Sequence, residues 1–297
     1  MKKLIILLPI LFLLVMTSCN SDDSIDTDAY IKDDAGNLLD RNFHPKKIIS
    51  LAPNITETIY ALNADSLLVG VTDFCDYPPQ AKSKEKIGTL LDPNLEKITA
   101  LSPDIIFMTT EGNSKYTYLS LKNNGFRVFV VNPNDISGIN RMIVNFGIIL
   151  NKKDTGKRLA EYIEDKRKYY ELEGKNKQKT SSLLIISVNP LITVNKFTYI
   201  SEILGLAGFE NIYGDELLEY PNVTYEDVII KNPDYIFYLT DTTNKSTSNE
   251  LLMNIKSRLN IVNAVKNNKV YDVDENVFSR PGPRVMDCVK IMNDKIQ

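Results

Sequence analysis

Short apolar runs alternate along this chain with stretches in which apolar residues recur every three or four positions. Such runs predict buried strands, and the helical spacing between them predicts amphipathic helices. The predicted strands cover residues 47–52, 67–72, 104–108, 127–131, 182–187, 235–239 and 269–273. The predicted helices cover residues 56–62, 94–101, 116–124, 136–150, 154–175, 200–206, 225–231 and 251–255, with a last helix opened by Pro283. We interpret residues 30–40 as a small hairpin and residues 240–250 as a polar loop. Strands that alternate with helices predict parallel sheets.

The stretch 154–175, DTGKRLAEYIEDKRKYYELEGK, predicts a long charged helix with only a thin apolar stripe. Asp154 or Thr155 suits its start, and Gly174 suits its end. At about 1.5 Å per residue, such a helix spans roughly 30 Å. A helix of this kind is typical of a strut between two bodies, although the stretch alone is equally consistent with a surface helix of a single domain.

The segments on either side of this helix repeat one another. Asp-Pro-Asn-Leu-Glu, which ends at Glu96, has its counterpart in Tyr-Pro-Asn-Val-Thr-Tyr-Glu, which ends at Glu226. In both halves a Pro-Asp pair follows the glutamate by seven residues and opens a strand. Because repeated units favour like lobes, we predict an α/β fold of two Rossmann-like lobes joined by a single long rigid helix. The predicted boundaries are 46–152 for the N-terminal lobe, 153–175 for the linking helix and 176–297 for the C-terminal lobe.

The first residues have the pattern of a secretory signal. Lys2 and Lys3 precede an apolar run that is too short to span a bilayer, so we predict that residues 1–18 are a signal peptide. The ending Met-Thr-Ser-Cys, residues 16–19, resembles the lipobox of bacterial lipoproteins, which makes Cys19 the predicted lipidation site. Residues 19–45 would then form a lipidated tether and the short hairpin. The alternative is a plain secreted protein cleaved nearby.

Composition narrows the function classes. The formal net charge of the 297 residues is −3, and no basic block indicates a nucleic-acid partner. With His44 as the only histidine, a zinc site of the usual His/Cys kind and a Ser-His-Asp arrangement are both disfavoured. Beyond Cys19, Cys75 and Cys288 remain; we expect both to be buried, and whether they pair stays open. We predict no catalytic residues, no resident metal and no cofactor, so a lipid-anchored α/β enzyme is the disfavoured alternative, beside an adhesin or structural lipoprotein.

Four segments of the chain carry a family resemblance. KIISLAPNITETIYALNADSLLVGVTDFCDYPPQAKSKEKIGTLLDPNLEKITALSPDIIF, residues 47–107, is similar to the N-terminal lobe of the helical-backbone substrate-binding proteins that serve bacterial importers of cobalamin, ferric siderophores and haem. ISEILGLAGFENIY, YPNVTYEDVIIKNPDYIF and KVYDVDENVFSRPGPR resemble the second lobe of the same class III periplasmic-binding-protein type. The resemblance implies a monomer on the periplasmic side of the cell envelope. It also implies a ligand held in the cleft between the lobes and delivery to an ABC permease in the cytoplasmic membrane.

The same resemblance implies two kinds of functional residue. Glu96 and Glu226 match the glutamates with which each lobe docks to permease arginines; the alternative is that each is only a solvated first-turn glutamate favoured by the helix dipole. The candidate ligand-binding residues are Pro53, Asn54, Phe74, Leu90, Phe197, Tyr199, Phe278 and Arg280.

The identity of the ligand stays open at the level of sequence. A corrin is large, flat and amphipathic, and it requires apolar walls with a few polar groups. Phe74 matches a family position where an aromatic contacts the corrin, whereas Leu90 stands where the cobalamin-binding members have a tryptophan. Because Arg280 and Arg284 are the only obvious cleft cations, we expect a roughly neutral ligand such as cobalamin before an anionic ferric chelate. Haem would require a tyrosine or histidine as iron ligand.

Overall fold

The computed structural model describes residues 29–175 and 178–296. Its strands are β1 (Tyr30–Lys32), β2 (Leu38–Asp40), β3 (Ile48–Ser50), β4 (Leu68–Val71), β5 (Ile105–Thr109), β6 (Val128–Val131), β7 (Thr180–Ile185), β8 (Ser187–Val188), β9 (Leu191–Ile192), β10 (Phe209–Asn211), β11 (Tyr235–Thr240) and β12 (Val270–Asp274). Its α-helices are α1 (Pro53–Ala61), α2 (Leu95–Leu101), α3 (Lys115–Asn123), α4 (Ile136–Ile149), α5 (Lys153–Gly174), α6 (Tyr199–Leu206), α7 (Tyr225–Lys231), α8 (Lys245–Arg258), α9 (Asn263–Lys266), α10 (Glu275–Phe278) and α11 (Val285–Ile296). Within these ranges no helix is both long enough and apolar enough to cross a membrane. The predicted signal peptide and Cys19 lie outside the described residues.

Each lobe contains one parallel four-stranded sheet. The strand orders are β4-β3-β5-β6 and β10-β7-β11-β12, so both sheets place their strands in the same order of appearance, second, first, third and fourth. The predicted two-lobed α/β fold is therefore confirmed, and the repeated sequence motif corresponds to repeated topology.

The two copies of the motif also match in local geometry. Helices α2 and α7 both have seven residues, and each is capped by a side chain, that of Asn94 or Thr224. Both helices end in a left-handed residue, Ser102 with φ 49° and Asn232 with φ 47°. Such a residue turns the chain sharply at a helix C-terminus, which brings the following Pro-Asp pair to the start of the next strand.

The predicted hairpin covers one edge of the N-terminal sheet. Strands β1 and β2 pair antiparallel, and the loop between them contacts β6. The Val130 N–H donates to Asp33 Oδ2 at 2.9 Å, and the Asp34 N–H donates to the Val130 carbonyl at 3.0 Å. Because an open edge strand is a template for unwanted pairing, the hairpin protects the end of this sheet.

Helix α5 links the lobes and is packed against them along its thin apolar face. Gly156, Ala160 and Ile163 are its buried residues. The helices α4 and α5 approach so closely that a Cβ on Gly156 would lie 3.1 Å from the Gly147 Cα. Exposed ion pairs such as Lys157–Glu161, at 3.6 Å, occupy the opposite face. The predicted cap at Asp154 or Thr155 is wrong: the helix begins earlier, and Lys152 precedes it without a side-chain cap.

One apolar core extends through this helix from one lobe to the other. It includes Phe146 of α4, Ile163 of α5, Ile203 of α6 and Val289 of α11, all fully buried. A continuous core resists bending more than a chain of exposed linkers does. The linkage between the lobes is therefore a packed body of helices.

The second lobe contains elements that the sequence pattern does not show. Helix α8 occupies much of the predicted polar loop 240–250; its only buried residues are Ser248 and Ile255, so it has no apolar stripe to detect. Strands β8 and β9, which form a hairpin, have two residues each, and β10 has three. These lengths are too short for periodicity to be informative. Helix α11 begins at Val285, two residues beyond Pro283.

Candidate functional site

A cavity of about 300 Å³ lies between the lobes. It is lined by Ala52, Pro53, Asn54, Phe74, Leu90, Thr109, Glu111, Glu275, Asn276, Ser279, Arg280 and Pro281. The residues of the N-terminal lobe follow β3, β4 and β5, and those of the C-terminal lobe follow β12. The cavity therefore lies at the carboxyl ends of both parallel sheets, where open α/β sheets bind their ligands.

Apolar side chains from three loops form the N-terminal wall. Pro53 is the first residue of α1, and Phe74 is 55% exposed although it lies on the cavity. Leu90 is held from behind, because the buried Asn113 side chain donates to its carbonyl at 2.7 Å. Gly112 leaves room for this leucine, since a Cβ there would lie 2.8 Å from Leu90 Cδ2. The wall is thus preformed around an accessible aromatic ring.

Asn54 joins the lobes below the cavity. Its Nδ2 donates to the Pro281 carbonyl at 3.2 Å, and the residue is 4% exposed. The C-terminal loop approaches so closely that a Cβ on Gly282 would lie 3.4 Å from the Asn54 carbonyl oxygen. The floor of the cavity is therefore a contact between the start of α1 and the loop before α11.

Beside this floor, a buried charge network ties Arg280 to the N-terminal lobe. Arg280 Nη1 lies 3.1 Å from Glu57 Oε1 and 2.7 Å from Asp76 Oδ1, and its Nη2 donates to Asn276 Oδ1 at 2.7 Å. Arg284 holds Glu57 in a bidentate pair of 2.8 and 2.6 Å. Glu57 is 3% exposed and Arg280 9%. Two guanidinium groups thus face two carboxylates, and the charge of Arg280 is compensated where it lies.

A second bridge crosses the cleft at Glu111. The Tyr220 hydroxyl donates to Glu111 Oε1 at 3.0 Å, and Asn134 Nδ2 donates to Glu219 Oε1 at 3.1 Å. Burial raises the pKa of the Glu111 carboxyl; the Tyr220 hydrogen bond opposes this shift, and the Glu219 charge adds to it. Burial and the Glu111 charge likewise raise the pKa of the Tyr220 hydroxyl. Sequence reasoning missed Glu111, Glu275 and Tyr220; the available signal for Glu111 is its place just after a predicted strand.

Three of the predicted cleft residues do not line this cavity. Tyr199 is 2% exposed, and its hydroxyl donates to the carbonyl of the fully buried Phe278 at 2.6 Å. These two side chains pack in the core and support the loop that carries Arg280. Phe197 is 59% exposed on a separate surface depression beside Tyr170 and Lys196. The predicted residues that do line the cavity are Pro53, Asn54, Phe74, Leu90 and Arg280.

Glu96 and Glu226 occupy equivalent places outside the cleft. Each is the second residue of its helix, α2 or α7, and each is exposed. Among the described residues, neither carboxylate forms an ion pair. Both are therefore accessible to a partner.

The remaining candidate chemistry is structural. Cys75 and Cys288 are both buried, as the sequence predicts, and they do not form a disulfide with each other. Cys75 Sγ receives the Thr56 hydroxyl at 3.1 Å. His44 Nδ1 lies 3.3 Å from the Ile149 carbonyl oxygen. Across residues 29–175 and 178–296, no three His, Cys, Asp or Glu side chains come together in an arrangement that could hold a metal ion.

Known proteins are similar to this chain in sequence and in fold. The model of the periplasmic binding protein family matches residues 48–277. The vitamin B12-binding protein of Vibrio cholerae is 29% identical over 253 residues, which cover 85% of this chain and 90% of that protein. The crystal structure of the periplasmic vitamin B12-binding protein of V. cholerae has a TM-score of 0.74 at 28% identity, over 86% of this chain and 98% of that one. A possible iron-binding protein from Staphylococcus epidermidis has a TM-score of 0.72 at 27% identity, over 85% of this chain and 98% of that one.

Proposed function

The chain belongs to the periplasmic binding protein family, and we propose that it is the extracytoplasmic binding protein of an ABC importer that carries a corrinoid between its lobes. The lobes would hold the ligand at the carboxyl ends of their sheets, and the loaded protein would deliver it to a permease. This proposal describes a binding protein rather than an enzyme, as do the names of the relatives.

The observation that carries the ligand assignment is the chemistry of the interlobe cavity. Pro53, Phe74 and Leu90 offer an apolar surface, and polar groups converge on it from the opposite lobe. Arg280 is the one guanidinium among the residues that line the described cavity, and Glu57 and Asp76 already compensate its charge. A roughly neutral ligand with a broad apolar face, such as a corrinoid, suits such a site, because it gains apolar contact and requires no free cation.

Haem or a ferric siderophore is the competing ligand, since the similar S. epidermidis protein is described as possibly iron-binding. Anionic chelates require uncompensated cations, and haem iron requires a ligand such as tyrosinate. Tyr220 borders the site, but its hydroxyl donates a hydrogen bond to Glu111, and burial together with the Glu111 charge raises the pKa of that hydroxyl. Both observations disfavour the iron ligands relative to a corrinoid.

Calorimetric titration with cyanocobalamin, haem and a panel of ferric siderophores tests this assignment. We expect cyanocobalamin to bind, and we expect Phe74→Ala to weaken it about tenfold through the loss of aromatic contact. Phe197→Ala is the matched control, because it removes an equally exposed phenylalanine outside the cavity; its affinity should stay within about twofold of wild type. Saturable binding of haem or a siderophore without cyanocobalamin binding would overturn the corrinoid assignment, and a larger effect of Phe197→Ala would move the site elsewhere.

We also propose that Glu96 and Glu226 dock the two lobes to the permease. Two exposed carboxylates at equivalent places can each form a charge-assisted bond with an arginine of the transporter. Their lack of a partner within the described residues leaves them available for such a contact.

A lipid anchor at Cys19 is part of the same proposal. The lipobox resemblance supports it, since Met-Thr-Ser precedes this cysteine. An anchor there would hold the N-terminal lobe near the membrane, because the covering hairpin joins the anchored segment to the first sheet.

A further inference from the structure

The ionisable side chains that line the cavity are Glu111, Glu275 and Arg280. Arg280 is compensated by Glu57 and Asp76, as described above. Among the described residues, the Glu111 carboxylate accepts a hydrogen bond only from the neutral Tyr220 hydroxyl, and Glu275 forms no ion pair. The charges that remain uncompensated at the cavity are therefore two carboxylates, one from each lobe.

Neighbouring carboxylates add to the negative potential around both glutamates. Glu219 lies near Glu111, and Asp274 and Asp241 lie near Glu275. Glu275 keeps an exposed surface, but partial desolvation raises the pKa of its carboxyl, and the Asp241 and Asp274 charges raise this pKa further, against the opposing charge of Arg280. A further carboxylate brought into this cavity would meet the same loss of hydration and the same repulsion.

We propose that Glu111 and Glu275 determine specificity by accepting hydrogen bonds from ligand carboxamides and by repelling ligand carboxylates. This inference rests on the proposed function, and it narrows the ligand class to corrinoids whose peripheral groups remain amides. An amide presents N–H donors, which an ionised carboxylate accepts, whereas a carboxylate has acceptors only. Replacing the NH₂ of one ligand amide by O⁻ therefore turns an attraction to these glutamates into a repulsion, in a site that is partly desolvated.

The test compares cyanocobalamin with its monocarboxylic acid derivative, in which one peripheral amide is hydrolysed. The two ligands differ by one charge and share the same cobalt ligands. We expect the wild-type protein to prefer the amide by about tenfold or more, and we expect Glu111→Gln with Glu275→Gln to reduce that preference to within about threefold. Glu275→Gln alone, at an exposed residue that should not disturb folding, should have an intermediate effect. Thermal melting confirms that each variant is folded.

Glu85→Gln with Glu161→Gln provides the matched control, since it removes the same charge from exposed sites that do not line the cavity. An unchanged preference in this control, together with a reduced preference in the cavity variants, supports the proposal. Equal affinity of the wild type for both corrinoids would overturn it, as would a preference that survives in the double cavity variant or disappears in the control.

A parallel arm with haem separates this inference from the proposed function. Haem carries two propionates, so the double cavity variant should bind haem at least about tenfold more tightly than the wild type. If the wild type binds neither corrinoid, the proposed function fails and this arm decides the charge rule alone. Haem affinity that is equal in wild type and variant would then refute the role of the two glutamates.

Discussion

Replacing Glu57 should lower the free energy of unfolding by breaking the buried charge network between the lobes. It is 3% exposed, and its two carboxylate oxygens receive three contacts from Arg280 and Arg284. Glu57→Gln preserves the shape of the side chain but removes the charge, and it turns an amide donor toward guanidinium donors. The network then contains two cations and, with Asp76, a single anion.

The expected cost follows from what remains. Removing one partner of a buried ion pair typically costs 3–5 kcal/mol, because the other charge stays desolvated. Here Asp76 and Asn276 still bind Arg280, so we expect about 3 kcal/mol, the lower end of that range. Glu161→Gln breaks an exposed pair on α5 and should cost less than about 0.5 kcal/mol.

Urea unfolding measures both values, with circular dichroism and tyrosine fluorescence as independent probes of one transition. In a double-mutant cycle, Arg284→Gln should cost about 1–3 kcal/mol less in the Glu57→Gln background than in the wild type. A Glu57→Gln cost within about 1 kcal/mol of the Glu161→Gln control would refute the claim that this buried network joins the lobes.

Three further predictions address the linking helix, the docking surface and the anchor. Gly156→Ala should lower the free energy of unfolding by about 1–3 kcal/mol, because the added Cβ would meet α4. Gly174→Ala is the control: no atom lies within 4 Å of the Cβ it adds, so this change should be neutral or slightly stabilising. Equal free energies of unfolding for the two variants would contradict the close approach of α4 and α5. Glu96→Ala with Glu226→Ala should keep ligand affinity within about threefold while uptake into permease-containing proteoliposomes falls steeply; normal uptake would remove the docking role. Cys19→Ala should shift the protein from the membrane fraction to the soluble fraction, and continued sedimentation with membranes would disprove lipidation at this residue.

The chain's local patterns were sufficient for most of the architecture. Alternating apolar runs and helical stripes predict every strand of the two sheets except β10, and the repeated motif that ends in Glu96 and Glu226 predicts equal topology in the two lobes. These features depend on side-chain spacing and on turn residues that lie within a few positions of one another in the chain, so they can be predicted from the sequence. The resemblance extended this to the loops with Pro53, Phe74 and Leu90, which meet on one cavity.

Where short-range patterns are weak, predictions from the sequence were wrong or ambiguous. Helix α8 is polar over most of its surface, so the sequence pattern predicts a loop over residues 240–250 where the helix in fact begins. Aromatic residues were also ambiguous, because Phe197, Tyr199 and Phe278 all stand near loop ends. The folded chain buries Tyr199 and Phe278 and places Phe197 on another surface.

The electrostatic character of the cavity was decided by tertiary structure alone. The sequence shows Arg280 as a cleft cation, but its partner Glu57 lies 223 residues away on the other lobe. The Tyr220 hydroxyl reaches Glu111 across a separation of 109 residues. Whether a charge is free or compensated depends on distances of about 3–4 Å between groups that no local pattern relates. The residue types at the cleft could therefore be read from the sequence, whereas the sign of the charge that a ligand meets required the packed lobes.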